Sequence, residues 1–327
     1  MMKRLFYFAQ FILCSITVSA QAQLYPVKVG AHWGYIDASG KMILSPQFEN
    51  ALEFKNGFAA IKTGNLWGFT DASGKLVVNP QFAEVKDFSE GMAAVRVANK
   101  WGFIDKTGKF LVSPQFQDAD NFSEGLAAVK ISTSWAFIDP AGKIILNPQF
   151  NQAKSFSYGL APVQIGLAWG FVNTGARYVI NPQFERANSF REDLAAVRLD
   201  GKWGFIDKEG KLVIDYQFVE AMDFNGSMAA VRIGNKWGFI NKEGKYQINP
   251  QFEDAVSDVN VDRSFSEGLA AVRIDGKWAY VDKFGKIQIN PKFSSASAFR
   301  SGIAAVRLNG KWAYIDKNGR TIWTQLN

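Results

Sequence analysis

Short apolar runs recur along the chain in a fixed order. One set is Leu194-Ala-Ala-Val-Arg-Leu199, Trp203-Gly-Phe-Ile-Asp207 and Leu212-Val-Ile214. Each run is four to eight residues long or shorter and is bounded by turn residues, which predicts strands rather than helices. The first two are separated by tight-turn pairs. Asp200-Gly201, Asp275-Gly276 and Asn309-Gly310 suit a type I′ turn, and Gly64-Asn65 and Gly234-Asn235 suit type II′. The second and third are joined by Asp-x-x-Gly, as in Asp207-Lys208-Glu209-Gly210, which matches a type I turn. The predicted unit is a three-stranded antiparallel meander.

The unit repeats. Trp33, Trp67, Trp101, Trp135, Trp169, Trp203, Trp237, Trp278 and Trp312 are spaced by 34 residues, except for 41 between Trp237 and Trp278. A fixed period of this length marks a repeat array. Within the second strand Trp203 and Phe205 point to one face and Ile206 to the other, so both faces carry apolar weight. Such a sheet needs a neighbour on each side, and stability then comes from stacking.

The connector reads Pro-Gln-Phe-x-x-Ala-x-x-Phe-Ser-Glu-Gly, as in residues 114–125. Its apolar spacing predicts one helical or 3₁₀ turn capping the sheet edge, with Pro114 ending the third strand. Leu24 to Val29 supplies a first strand for unit one, and Ile303 to Trp323 completes a ninth meander. The fold class is therefore all-β, a tandem array of nine three-stranded meanders. No strand is left over at one end to complete a sheet at the other. Closed propellers often use such a strand and usually have 4–8 blades, so an open, curved β-repeat array is favoured over a closed propeller-like ring.

The Trp-Gly core with Lys before it, Asp-x-x-Gly after it and the Phe-Ser-Glu-Gly-Leu-Ala-Ala-Val return resembles the WG-repeat (KWG) family of bacterial proteins. Lys100-Trp101-Gly102-Phe103-Ile104-Asp105-Lys106-Thr107-Gly108-Lys109 carries the pattern in full, and the resemblance extends over residues 24–327. It implies an exported or envelope-associated protein and supplies no catalytic residues to transfer. Departures are local: Ala136, Ala279 and Ala313 replace the second Gly, Gly175 stands one place early before Ala176, and Tyr216 replaces the recurring Pro.

Residues 1–22 read as a secretory signal, with Lys3 and Arg4 ahead of an apolar run and Ala20-Gln21-Ala22 at the cleavage site. Residues 23–327 then form the repeat domain. The run of about 16 residues is short for a membrane span, which needs roughly 20. Cys14, the one cysteine, leaves with the leader, so no disulfide supports the mature chain. Removing Lys3 and Arg4 lowers the formal charge from +7 to +5. The expected placement is the periplasm, cell surface or extracellular space.

Enzymatic chemistry finds little footing. The mature chain has one histidine, His32, in the slot where lysine recurs, and no cysteine. Cys/His metal sites are thereby excluded in a monomer, and a Ser-His-Asp arrangement would rest on His32 alone. The regular acids, such as Asp105, Asp207 and Asp316, occupy the turn slot. The glycines of Asp-Gly-Lys-Trp-Gly lie in hairpins with no helix to follow, which argues against a phosphate loop. Asp254, Asp258, Asn260 and Asp262 partly imitate a calcium loop but lack its central Gly and final Glu. The sequence predicts no enzyme, no cofactor and no resident metal.

Two recurring features invite a binding role. Phe116 and Phe122 have counterparts in every other full unit, which favours the interface between units over a sugar platform; Tyr158, Tyr178, Tyr216 and Tyr246 are better sugar candidates. Basic residues form two rows. Lys41, Lys75, Lys109, Lys143, Arg177, Lys211, Lys245, Lys286 and Arg320 lie eight after Trp. Lys62, Arg96, Lys130, Arg198, Arg232, Arg273 and Arg307 lie five before it, interrupted by Gln164. The hairpin register sets Arg198 opposite Trp203, so its stem can cover the indole while the charge reaches water. Arg96, Lys130, Arg198, Arg232, Arg273 and Arg307 are the candidate binding residues. Seven extra residues, 257–263, mark a loop of a kind that often serves binding in repeat proteins. The expectation is an exported scaffold whose partner is another envelope or secreted protein. The alternative is a module for polysaccharide or another anionic polymer; nucleic acid does not suit an exported chain.

Overall fold

The computed structural model describes residues 23–255 and 265–325; the expected signal at 1–22 with its Cys14 and the insertion at 257–263 lie outside them. Among the described residues every element is a strand, and the strands form nine separate antiparallel sheets in chain order. No helix there is long and apolar enough to cross a membrane.

The third sheet shows how the local sequence builds a blade. Met92–Val97 pairs with Lys100–Asp105 in the register expected of the hairpin, with Arg96 opposite Trp101 and Val95 opposite Gly102. At Asp200-Gly201 both central residues have positive φ (48° and 74°), as a type I′ turn requires. Gly64-Asn65 also has both φ values positive (59° and 67°) and is type I′ rather than II′. In the Asp-x-x-Gly turn, Oδ1 of Asp105 accepts hydrogen bonds from the N–H groups of Thr107 (2.8 Å) and Lys109 (3.1 Å), and the Gly108 N–H donates to the Asp105 carbonyl.

The structure corrects the connector. Pro114 does not end its strand, which runs Phe110–Phe116 through it. The register against Lys100–Asp105 shifts between Trp101↔Phe116 and Phe103↔Val112, leaving extra residues bulged opposite Gly102. A β-carbon on Gly102 would lie 2.6 Å from the Val112 carbonyl oxygen and 2.7 Å from the Pro114 nitrogen. A bulge at a sheet edge tolerates the missing N–H of proline, and glycine permits the close approach. Ala136 keeps the same bulged register in its unit, so the backbone there accommodates a methyl group.

No helical turn follows. Asp118–Ala119 is a short strand paired with Lys130 and Val129, and the pairing continues through Asp120 N–H to the Ala128 carbonyl (2.8 Å) and Ser123 N–H to the Leu126 carbonyl (2.9 Å). Pairing with a buried strand satisfies more backbone groups than one isolated turn could. The blades therefore have four strands rather than three. Exceptions in named strands are the first blade and the eighth, where Asp254 still bridges to Arg273.

Neighbouring blades cover both faces of each sheet. Phe103 and Phe116 of the third blade pack with Phe122, Ala127 and Val129 of the fourth. Ile104, on the opposite face, packs with Phe69, Val78 and Phe82 of the second. Phe122 meets the ring of Phe103 edge-on at 4.8 Å, and the same pairing recurs as Phe171–Phe190 and Phe205–Phe224. The recurring phenylalanines are interface core, as their repetition implies.

The array closes into a ring. Tyr25, Val27 and Ile36 of the first blade pack with Ile303, Tyr314, Ile322 and Trp323 of the ninth. The Tyr314 hydroxyl donates to the Pro26 carbonyl (3.0 Å), and the Tyr25 hydroxyl lies 3.1 Å from the Arg300 and Ser301 carbonyls. Arg300 forms an ion pair with Glu53 at 2.8 Å. The open array is thus not formed; the protein is a nine-bladed β-propeller. The sequence argument was right that no strand is exchanged, since the last strand, Thr321–Thr324, pairs only with Lys311–Asp316. Its conclusion failed because closure needs only what every interior interface uses, two apolar sheet faces. Left open, the terminal faces would stay in water at a cost proportional to their apolar area.

Candidate functional site

Equivalent positions of adjacent blades approach most closely near the axis of a ring. Contacts between residues 33–35 apart therefore mark the inner wall, and they concentrate in the short first strand and the turn after it. The Ser123 hydroxyl donates to the Phe156 carbonyl (2.7 Å) and the Ser157 hydroxyl to the Phe190 carbonyl (2.8 Å). The Glu90 carboxylate accepts from the N–H groups of Glu124 (2.7 Å) and Gly125 (3.0 Å) one blade on. Lys86 pairs with Asp120 at 3.1 Å. Lys154 is half-buried on this wall, its ammonium donating to the Ala187 carbonyl (2.9 Å), and desolvation pulls its pKa down.

From this wall a row of side chains crosses the blades from the second onward. In the third it runs Glu84, Arg96, Trp101 and Phe116, one residue from each strand. The candidate cations are the second members of such rows. Arg96 is bound by Glu84, and Arg232 by Glu220 at 2.5 Å. Arg198 lies 3.5 Å from Glu185 and Arg273 3.9 Å from Glu253. Lys130 stands opposite Asp118, and Arg307 donates to the Gly310 carbonyl (3.1 Å). The guanidinium of Arg232 sits 6.0 Å from the centre of the Trp237 ring, so the cover over the indole is realised. Arg273 and Arg307 are exposed, while the other four are half-buried. The row is largely neutralised by acids of the first strand and its neighbours, and is not a bare cation stripe. The other row, Lys41 through Arg320, is exposed throughout.

One blade reverses the charge. The slot of Glu84, Asp118 and Glu220, uncharged as Asn50, Gln152 and Ser295, holds Arg186 in the sixth blade, directly opposite Arg198. Among the described residues no hydrogen bond or ion pair engages the exposed Arg186 guanidinium. Arg186, Arg198, Trp203, Glu220, Met222 and Arg232 line an open cleft of about 420 Å³ between the sixth and seventh blades. The Arg198 Nε is buried without a hydrogen-bond acceptor. This convergence was missed from sequence, although the hairpin register plus the acidic first-strand slot would have exposed Arg186 as the exception.

The remaining candidates scatter. Tyr158 is exposed in the turn where glutamate recurs, with Lys208 Nζ 5.2 Å above its ring. Tyr178 and Tyr246 are exposed on outer strands, and half-buried Tyr216 packs toward the fifth blade. None of them lines the Arg186 cleft. His32 is an exposed residue at the first hairpin. Of the calcium-like segment, Asp258, Asn260 and Asp262 lie outside the described residues.

The repeated unit now has a defined boundary, and comparison with sequence families gives it a source. The family described as WG containing repeat matches residues 33–67, 67–101, 101–132, 135–166, 169–203, 203–237, 237–278 and 278–312. The chain belongs to the WG-repeat family. A sequence comparison with curated proteins returned no match. Among solved structures, this WG-repeat propeller is similar to a crystal structure of the eukaryotic initiation factor, with TM-score 0.67 and 12% identity over 93% of this chain and 96% of that one. Kluyveromyces lactis Hsv2 aligns at TM-score 0.41 and 13% identity over 83% and 94% of the two chains. PorZ, from the type-IX secretion system of Porphyromonas gingivalis, aligns at TM-score 0.34 and 9% identity over 94% of this chain and 52% of its own. At these identities the likeness concerns fold alone.

Proposed function

We propose that this WG-repeat propeller is an exported, non-catalytic scaffold that docks another envelope or secreted protein. The observation that carries the reading is the division of labour within the repeat. Recurring aromatics are consumed by packing between blades, and the cations beside tryptophan are largely consumed by ion pairs. What remains distinctive is a set of irregular slots on a rigid ring, of which the Arg186 cleft is the most developed. A ring of this kind presents many surfaces held in fixed relation without needing a reactive group. The apolar amino-terminal leader supports export.

The test is a pull-down from envelope extract with residues 23–327, washed across a salt series. The scaffold reading expects one protein retained in stoichiometric amount at high salt, because a packed interface is weakly screened. A second reading, binding of polysaccharide or another anionic polymer, draws on the exposed row from Lys41 to Arg320, which puts a cation on each blade. It expects polymer retention that fades steeply as salt rises. Retention of neither a protein nor a polymer overturns both.

A further inference from the structure

We propose that the cleft between the sixth and seventh blades binds a single carboxylate presented by a partner, held between the guanidinium groups of Arg186 and Arg198. The inference rests on the scaffold reading and names the chemistry by which that scaffold recognises its partner.

Three observations converge on it. The first is a like-charge cross-strand pair. Arg186 and Arg198 are direct partners in the ladder, an arrangement that destabilises a sheet unless an anion lies between the charges. No equivalent position elsewhere sets two cations face to face: the partner is acidic in Glu84 with Arg96, Asp118 opposite Lys130 and Glu220 with Arg232, and uncharged in Asn50 opposite Lys62, Gln152 opposite Gln164 and Ser295 opposite Arg307. The second is space. The two arginines open on a cleft of about 420 Å³ rather than on a packed interface. The third is an unengaged guanidinium: among the described residues no hydrogen bond or ion pair engages Arg186, whereas Arg198 has the Glu185 carboxylate 3.5 Å from its Nε, a nitrogen left without an acceptor just as Arg96 Nε is in the third blade.

Charge selects the ligand. Glu185 and Glu220 offset two of the three arginines, Arg198 and Arg232. One positive charge is left, which matches a carboxylate better than a phosphate dianion. Paired guanidinium forks suit the planar carboxylate, since each can donate two parallel hydrogen bonds. A polymer with many charges would need the same excess on neighbouring blades, and their slots lack it. Trp203 and Met222 complete the lining, so the carboxylate is expected beside an apolar group, as in an acidic residue next to leucine in a polypeptide.

The experiment follows the arginine Nε–H resonances of the full chain, labelled with ¹⁵N-arginine, at constant ionic strength. The probes are succinate, a blocked Glu-Leu dipeptide and inorganic phosphate. The expected result is a saturable shift of the Arg198 resonance with both carboxylates, tighter for the dipeptide, weakened about tenfold or more by Arg186→Gln and abolished by Arg186→Glu. The Arg186→Glu variant recreates the Glu84–Arg96 arrangement, so it should melt no lower than the parent, which separates lost binding from lost folding. No saturable shift, an undiminished shift in Arg186→Glu, or tighter binding of phosphate than of the carboxylates would each overturn the proposal. If the dipeptide fails while the envelope pull-down still retains a partner, the cleft assignment falls and the scaffold stands. If the dipeptide binds and no partner is retained, the scaffold reading falls instead.

Discussion

Three glycines separate the cost of backbone strain from the cost of crowding at a blade interface. Gly40, Gly108 and Gly125 all have φ near +80° (87°, 84° and 78°). Their surroundings differ. A β-carbon at Gly125 would meet nothing within 4 Å, and one at Gly108 would come within 3.2 Å of the Val78 side chain. One at Gly40 would lie 2.5 Å from the Ile322 carbonyl oxygen, across the seam where the ring closes. Left-handed backbone costs an ordinary residue about 1–2 kcal/mol, so Gly125→Ala should lose that and little more. Gly108→Ala should lose slightly more, because a valine side chain can give by a few tenths of an ångström. Gly40→Ala adds overpacking against backbone, about 1–3 kcal/mol, for a total of roughly 2–5 kcal/mol. Urea unfolding of the three variants measures the order directly. Small-angle scattering of Gly40→Ala tests whether the seam has parted. Equal losses at Gly40 and Gly125 would refute the claim that close approach at the seam limits substitution there.

Ala176 occupies the left-handed position that glycine fills in other units (φ 63°), so Ala176→Gly should stabilise the chain by about 1 kcal/mol, read as a rise in urea midpoint. Phe171 is fully buried with its ring 5.0 Å from Phe190; Phe171→Ala should cost about 3–5 kcal/mol, and a loss below about 1 kcal/mol in the same assay would contradict its place in the core. The Asp105 carboxyl is held below its ordinary pKa by the Thr107 hydroxyl, and Asp71 likewise by Ser73. A carboxyl whose folded pKa is depressed contributes stability above its unfolded pKa and loses it as pH falls through the folded one. Thermal stability should therefore decline below about pH 4, and Asp105→Asn should flatten part of that decline; an unchanged slope would count against the turn as its source.

Most of what depends on near neighbours along the chain was legible in the sequence by itself, although Gly64-Asn65 closes a type I′ turn and not the expected type II′. The 34-residue period, the hairpin that sets Arg198 opposite Trp203, and the Asp-x-x-Gly turn are local, each fixed by turn chemistry and strand alternation. That both faces of each meander need covering was also legible, because Trp203 and Phe205 alternate with Ile206. The tertiary structure decided what depends on distance. Asp118–Ala119 looks like a connector until the buried strand Ala127–Ile131 offers it a ladder. Pro114 reads as a strand terminator until Gly102 makes room for a bulge beside it. Ring closure is a sum of small rotations between blades, and no single repeat carries its total; Tyr25 and Tyr314, 5.6 Å apart between ring centres, meet only once all nine are stacked. The Arg186 cleft depends on both levels. Its charge reversal is written in one slot of one repeat, but the space beside it exists only where the seventh blade brings Glu220, Met222 and Arg232 alongside.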